Sequence, residues 1–174
     1  TGGIVVESIL GSAVDLALQA DGKLVMAGNS SPLGSGLLRR YDTAGILDPT
    51  FGSGGVVTVA PEPDTLVTGV VVTTAGIVTI GNTSHSELLF LMRYASDGAV
   101  DTTFASRGVF RGFPELNEMG DFKVFTQPDG KILSTFSVNS EVRPQDFRTE
   151  AVVARFEGGE ILHCSLTPLA GCVQ

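Results

Sequence analysis

The fold is decided by a stretch that occurs twice in this chain. It reads Gly45-Ile46-Leu47-Asp48-Pro49-Thr50-Phe51 and returns as Gly98-Ala99-Val100-Asp101-Thr102-Thr103-Phe104. An Arg-Tyr pair precedes each copy, and the separation between that tyrosine and the phenylalanine is the same in both. A third apolar run ends in Arg155-Phe156, after which the pattern departs. The chain is therefore a tandem repeat, and its fold has to be interpreted one repeat at a time.

Turn signals lie between the apolar runs. Gly22, Gly76 and Gly130 are equally spaced, and each lies between two short runs rich in β-branched or other apolar residues. Asp21-Gly22 and Asp129-Gly130 are typical of tight hairpins, because glycine supplies the positive φ that such turns require. Each repeat therefore contains four short strands, named a to d in chain order, without helical periodicity.

Four-stranded repeats with a period of about 50 residues are typical of β-propeller blades. We therefore expect an all-β fold with about three four-stranded blades in a single repeat domain, 1–174. The blades are expected at about 1–54, 55–108 and 109–162, with 163–174 as a C-terminal tail. A plain two-sheet sandwich is the alternative, because it also consists of short, evenly spaced strands.

The order of motifs within one repeat points to a family. A Phe-Gly-x-Gly-Gly motif, a strand ending in Asp-Gly-Lys, a strand ending in Gly-Asn and an Arg-aromatic pair leading to Gly-x-Leu-Asp together resemble the delta-sixty repeat. That family consists of uncharacterised bacterial propeller repeats. The resemblance covers nearly the whole chain and weakens from Glu157 onward. It implies a propeller fold and a location outside the cell or at the cell surface, and it transfers no catalytic residue.

Three blades do not close a ring, because propellers normally contain four to eight. Residues 1–6 are similar to 53–58, so the chain is expected to begin within a d strand, and 160–166 could add one more outer strand. Two copies could form a six-bladed ring, the chain could be a fragment of a longer propeller, or copies could stack head to tail into a filament. We expect the chain to associate with itself, as a homo-oligomer or a larger assembly.

The composition argues against several classes of partner. The chain has 11 Lys and Arg against 19 Asp and Glu, and the net charge of −8 argues against nucleic-acid binding or an anionic membrane surface. No apolar run is long enough to cross a membrane. The start, Thr1-Gly2-Gly3-Ile4, lacks a Met or a basic region and indicates a cut or processed end. Cys164 and Cys172 could form a disulfide, and two reduced cysteines are the alternative.

Several repeated side chains are interpreted as structural. Asp48 and Asp101 are expected to form Asx turns rather than to bind a cation, because no second acidic position repeats with them. Recurring aromatic residues such as Phe51 and Phe104 are expected to fill the gaps between blades. The arginines at the ends of the c strands are expected to extend toward solvent or to pair with turn carboxylates. Asn29 is expected to end a b strand in the left-handed conformation.

A possible binding surface lies at one end of the blades. In an up-and-down sheet the a–b and c–d turns share one end, and the b–c and d–a connections share the other. The second set varies in length and carries many acidic residues, which is typical of the binding face of a repeat protein; solubilising charge is the alternative. The longest connection is 139–150, where Phe147 lies between two arginines. The candidate partner-binding residues are Arg143, Asp146, Phe147, Arg148, Glu62, Asp64, Glu115 and Glu118.

The sequence favours a non-catalytic, secreted or cell-surface module for binding or extracellular assembly. Its partner would be a protein or a glycan, in addition to a second copy of itself. No residue is assigned a catalytic, cofactor-binding or metal-binding role, and no cofactor is expected. Two alternatives are a subunit of an extracellular filament and a cation-assisted hydrolase with its site in the propeller channel. The chain has only two histidines and no repeated set of metal ligands, which argues against the hydrolase.

Overall fold

The computed structural model describes residues 11–31, 34–83, 89–112, 119–143, 146–157 and 159–165. These residues form three antiparallel sheets of four strands each. The first sheet contains β1 (Gly11–Leu18), β2 (Leu24–Ser30), β3 (Gly36–Tyr41) and β4 (Val56–Val59). The second contains β5 (Thr65–Thr73), β6 (Gly76–Thr83), β7 (Leu89–Tyr94) and β8 (Val109–Gly112). The third contains β9 (Met119–Thr126), β10 (Ile132–Arg143), β11 (Asp146–Glu157) and β12 (Glu160–Ser165).

Strands that follow one another in the chain are neighbours in each sheet. This up-and-down order confirms the predicted all-β fold of about three four-stranded blades. The expected extra outer strand near the C-terminus is β12, which pairs with β11. The expected strand at residues 1–6 lies outside the described residues.

The sheets begin later in the chain than the repeat units expected at 1–54, 55–108 and 109–162. The reason is the pairing of the d strands. β4 pairs with β3, and β8 pairs with β7, so each d strand completes the sheet that precedes it in the chain. A repeat boundary placed before the d strand therefore cuts through a sheet.

The second a–b hairpin is shorter than the other two. In the first and third sheets the loops 19–23 and 127–131 are closed by backbone hydrogen bonds of 2.8 Å between their first and last residues. In the second sheet Thr73 pairs directly with Gly76. Gly76 therefore belongs to a strand, and its alignment with Gly22 and Gly130, expected from their equal spacing, is wrong.

The three sheets pack face to face, with their first strands side by side. β5 contacts β1, β2 and β3, and β9 contacts β5 and β6. The layer between the first two sheets contains the buried residues Val25, Leu38, Phe51, Val70, Ile77, Phe90 and Tyr94. The layer between the second and third contains Val78, Leu91, Phe104, Val124, Ile132, Val152 and Phe156. The second sheet is thus packed on both faces, and burial is nearly continuous along its strands β6 and β7.

Strand pairing shows which residues are equivalent in the three sheets. The c-strand arginines Arg40, Arg93 and Arg155 pair with Val25, Val78 and Leu133 of the b strands. The a strands align in the same way. Asp15, Gly69 and Lys123 pair with Ala27, Ile80 and Thr135, which occupy equivalent positions in the three b strands. These equivalences allow any residue on an outer face to be compared with its buried counterparts inside the chain.

Candidate functional site

The turns from β3 to β4 and from β7 to β8 share one set of hydrogen bonds. Asp48 Oδ1 accepts hydrogen bonds from the backbone N of Thr50 at 3.0 Å and from its hydroxyl at 2.6 Å. Asp48 Oδ2 accepts a third from Arg40 Nε at 3.0 Å. The equivalent bonds of Asp101 measure 3.0, 2.6 and 2.7 Å. We call this set of arginine, aspartate and threonine a turn clamp; it confirms the predicted Asx turns and the pairing of these arginines with turn carboxylates.

Both clamp carboxylates have lowered pKa values. The hydroxyl of Thr50 holds the pKa of Asp48 well below its usual range, and the Lys23 ammonium, 3.0 Å from Oδ2, lowers it further. The hydroxyl of Thr103 is likewise the main reason that the pKa of Asp101 is lowered. A carboxylate that accepts several hydrogen bonds is held in its ionised form and is a weak proton acceptor. These two aspartates therefore stabilise turns rather than perform acid–base chemistry.

The clamp also joins neighbouring sheets. The Arg40 guanidinium lies 4.7 Å from the centre of the Phe51 ring, and the Arg93 guanidinium lies 4.9 Å from that of Phe104. Both rings are fully buried, which confirms that recurring aromatic residues fill the layers between sheets. Arg40 in addition donates a hydrogen bond from Nη1 to the backbone oxygen of Ser96 in the second sheet. One arginine thus contacts its own turn, a buried ring and the next blade.

The third sheet has the arginine without the rest of the clamp. Arg155 is equivalent to Arg40 and Arg93, but β11 and β12 are separated by only 158–159, so no long turn supplies an aspartate, threonine and phenylalanine. Its Nε is buried and has no hydrogen-bond partner among the described residues. Arg155 lines an open groove of about 330 Å³ together with Gln127, Leu133 and Val153. This groove lies on the outer face of the third sheet.

The loop end of the sheets holds the candidate partner-binding residues. Glu62 accepts a hydrogen bond from Arg111 Nε at 2.9 Å, and Arg111 Nη2 also donates to the backbone oxygen of Pro61 at 3.1 Å. This exposed ion pair connects the β4–β5 connection to the last strand of the second sheet. Asp64 lies in the same connection with a φ of 56°. Glu115 and Glu118 lie outside the described residues.

The segment 139–150 is a hairpin rather than the loop that its polar sequence predicted. β10 and β11 continue to Arg143 and Asp146, which pair with each other at the tip. Phe147 pairs with Glu141, and Arg148 pairs with Ser140. In the described part of the chain, β9 pairs with β10 only as far as Val138, so the hairpin extends past its neighbour as a two-stranded arm. The structure therefore brings Arg143, Asp146, Phe147 and Arg148 together at one tip.

Sequence reasoning missed the polar contacts between sheets. Asn29 Nδ2 donates to the backbone oxygen of Val67 at 2.9 Å, and the backbone N of Val67 donates to Asn29 Oδ1 at 2.8 Å. Asp15 Oδ2 accepts a hydrogen bond from the backbone N of Val70 at 2.9 Å. The left-handed conformation expected for Asn29 is wrong, because this residue continues β2 and pairs with Gly36. Its position at the end of an apolar strand was the available signal.

Three further predictions concern cysteines, metals and membranes. Cys164 lies in β12 opposite Ala154, and Cys172 lies outside the described residues, so the disulfide stays a prediction. Within the described ranges, no three His, Cys, Asp or Glu side chains are close enough together to hold a metal ion. The same part of the chain contains no helix of the length and apolarity needed to cross a membrane.

Three four-stranded up-and-down sheets, packed face to face with their first strands adjacent, define part of a β-propeller. Comparison with known families agrees with this class. Residues 19–51 and 76–104 match the model of a family described as a domain of unknown function (DUF5122) beta-propeller. No curated protein matches the chain.

Two solved structures are similar to the chain, and the first of them shows the same fold. The chain is similar to Kuenenia stuttgartiensis hydrazine synthase with 13% identity and a TM-score of 0.53, over 85% of this chain and 52% of that one. A protein from Lactobacillus plantarum matches with 16% identity and a TM-score of 0.41, over 91% of this chain and 57% of that one. The chain therefore spans little more than half the length of these solved chains. At such low identity, the likeness to the synthase shows the fold alone.

Proposed function

We propose that this chain is a non-catalytic module of a secreted or cell-surface protein, built of delta-sixty repeats, that binds a partner protein at its loop end. The observation that carries the proposal is the elongated hairpin of the third sheet. β10 and β11 have 12 residues each. The corresponding strands of the second sheet have 8 and 6 residues. The hairpin therefore extends this one blade at the end where its connections vary most.

Three turn aspartates at the opposite end of the sheets already have partners. Asp48 and Asp101 are engaged in the turn clamps, and Asp129 forms an ion pair with Lys131 Nζ at 2.7 Å. Lys131 is also the main cause of the lowered pKa of Asp129. Regular turns whose charged groups satisfy one another suit a structural end. Variable connections on a rigid scaffold suit a binding end.

The residues at the hairpin tip favour a protein as the partner. Arginine and aromatic residues are enriched among the side chains that dominate protein interfaces, and Phe147 and Arg148 are adjacent there. Arg143 and Asp146 add one charge of each sign. A hairpin tip whose residues include both signs of charge and an aromatic suits the mixed surface of a protein. The resemblance to the delta-sixty repeat supports a location outside the cell.

The test is retention of partners by the immobilised chain and two variants. The probes are the extracellular protein fraction of the producing organism and a panel of immobilised glycans. We expect the native chain to retain a specific protein, Phe147→Ala to lose it at least tenfold, and Ile46→Ala to retain it. Ile46 is the control because it is an exposed apolar residue at the opposite end. Equal retention by Phe147→Ala, or binding to glycans alone, would contradict the proposal.

A further inference from the structure

The outer faces of the first and third sheets are unlike ordinary protein surfaces. Leu16 is 56% exposed, whereas its equivalent in the second sheet, Val70, is 2% exposed. On the third sheet, Val153 is 44% exposed, whereas its equivalents Leu38 and Leu91 are fully buried. Each outer face therefore exposes apolar residues at positions that are buried between sheets elsewhere in the chain.

The two outer faces are also of opposite kinds. Each internal layer joins two different kinds of face. The first kind contains Leu38 in one layer and Leu91 in the other, and the second kind, on the next sheet, contains Val70 or Val124 respectively. The first sheet leaves the second kind uncovered, which we call the front face; it consists of Leu16, Leu18, Leu24, Met26 and Leu37. The third sheet leaves the first kind uncovered, which we call the back face; it consists of Lys123, Phe125, Leu133, Val153 and Arg155. Each internal layer joins the back face of one sheet to the front face of the next.

Arg155 supplies a polar reason for the back face to be covered. Its Nε is buried without a hydrogen-bond partner among the described residues. A buried polar group left unsatisfied is destabilising. In the internal layer, the Nε of Arg40 donates to Asp48 of its own turn, and its Nη1 donates to the backbone oxygen of Ser96 in the next sheet. The residue equivalent to Ser96 in the first sheet is Thr43, so a front face would bring a carbonyl oxygen to the Nη1 position of the Arg155 guanidinium, which has no turn aspartate of its own.

The innermost strands of the first and third sheets carry opposite charges at one equivalent position. Asp15, Gly69 and Lys123 occupy equivalent positions on neighbouring a strands. Asp15 Oδ2 lies 3.4 Å from the point where a Cβ on Gly69 would stand, so this position contacts its equivalent in the next sheet. If the same contact is repeated between copies, Lys123 of one copy comes near Asp15 of the other, whose carboxylate lies on the inner side of the first sheet and accepts from Val70 N. At this position the first sheet thus carries a negative charge, the second sheet no charge and the third sheet a positive charge.

We propose that the back face of the third sheet binds the front face of a second copy of this chain, and that two copies related by a two-fold axis make this contact twice. Two chains of three blades then close a ring of six, which is within the usual range for propellers. The contact buries Val153 and Phe125 of one copy against Leu16 and Leu18 of the other. It uses the sheet faces and is independent of the partner binding proposed for the loop end.

The first test is the mass of the chain by light scattering after size exclusion. We expect twice the 18.1 kDa of one chain. Val153→Asp and Leu16→Asp, each at an exposed strand position, should each give the mass of one chain. Ile46→Asp is the control, because Ile46 is 64% exposed but lies on a turn, and it should keep the mass of two chains.

Mixing the two disrupted variants distinguishes this contact from other dimers. A mixed pair places the native Leu16 of one variant against the native Val153 of the other, so one of its two contacts is intact. We therefore expect the mixture to recover a species of two chains that neither variant forms alone. A dimer that joined two identical faces would not recover in this way.

A disulfide gives a second, geometric test. A Cβ on Gly36 would lie 2.5 Å from Val67 Cγ2 across the first internal layer. By strand pairing their equivalents on the outer faces are Ala151 and Ala13, so Ala13→Cys and Ala151→Cys should cross-link between copies in a background lacking Cys164 and Cys172. The pair Ala13→Cys and Ile46→Cys is the control and should not. A mass of one chain at every concentration, a polydisperse filament, or an absent cross-link would each overturn the closed pair.

Discussion

Asn29 and Val67 lie in different sheets and form a two-point hydrogen-bonded pair, the side-chain amide of one against the backbone of the other. The two bonds measure 2.9 and 2.8 Å. An asparagine is suited to this contact because its amide carries one donor and one acceptor side by side, as the backbone of an extended strand does. The pair therefore extends the hydrogen bonding of β5 to a residue outside its own sheet.

We predict that Asn29→Ala lowers the free energy of unfolding by about 1–3 kcal/mol, because it leaves the N–H and the carbonyl of Val67 unsatisfied. Urea denaturation followed by circular dichroism measures this, since the chain has no tryptophan. Asn82→Ala is the control at the equivalent position of the second sheet, where the described residues show no such side-chain pair, and should cost less. Equal losses for the two variants would contradict the role assigned to Asn29.

The two turn clamps should differ in their contribution to stability. Arg40 and Asp48 are both buried, whereas Arg93 and Asp101 are partly exposed. Breaking an ion pair by removing one partner is more destabilising the more the remaining charge is buried. We therefore predict a larger fall in the denaturation midpoint for Asp48→Asn than for Asp101→Asn. The reverse order would show that exposure does not govern these clamps.

Stability should fall in acid. The pKa values of Asp48, Asp101 and Asp129 are lowered from a usual value of 3.8. A carboxyl whose pKa is lowered on folding stabilises the protein above its ordinary pKa, and that contribution is lost as the pH falls toward the lowered value. We predict a steep loss of stability below about pH 4. Asp48→Asn should make this dependence shallower, and an unchanged slope would contradict the role of the clamp.

Gly98 should tolerate a side chain poorly. Its φ is +89°, and an added Cβ would lie 2.7 Å from Val57 Cγ2 and 3.0 Å from Phe51 Cε2. We predict that Gly98→Ala destabilises the fold by about 2–4 kcal/mol, since overpacking adds to backbone strain. Gly54→Ala is the control, because Gly54 has a φ of +61° and open space around it. Thermal or urea unfolding should therefore show a loss of only about 1–2 kcal/mol for the control.

The repeat predicted most of the fold because its signals are local. Asp48 and Asp101 stand at matching positions, and an Asx turn needs only residues within the turn itself. The contacts between sheets could not be predicted in the same way. Asn29 bonds to backbone atoms of Val67, and a backbone atom is the same in every residue, so no partner side chain in the sequence identifies where Asn29 bonds. The local interpretation of Asn29 was wrong for this reason.

The hairpin at the loop end was missed for a related reason. Polar residues such as Ser140 and Glu141, together with Pro144, are typical of loops. Two antiparallel strands satisfy each other's backbone groups whatever their side chains are, so a polar arm can stay paired. The candidate residues Arg143 and Phe147 were therefore identified from composition, while their position at the tip of a two-stranded arm came from the structure.

The polar bonds between the first two sheets end on the main chain of the second. Arg40 donates to the carbonyl of Ser96, Gly52 donates to that of Asp97, and Asp15 accepts from the amide of Val70. A side-chain substitution that does not move the backbone leaves these acceptors and donors in place. When blades diverge in sequence, or are duplicated and exchanged as genetic units, these polar bonds therefore require no matched change in the neighbour. This freedom suits an architecture that grows by copying one element.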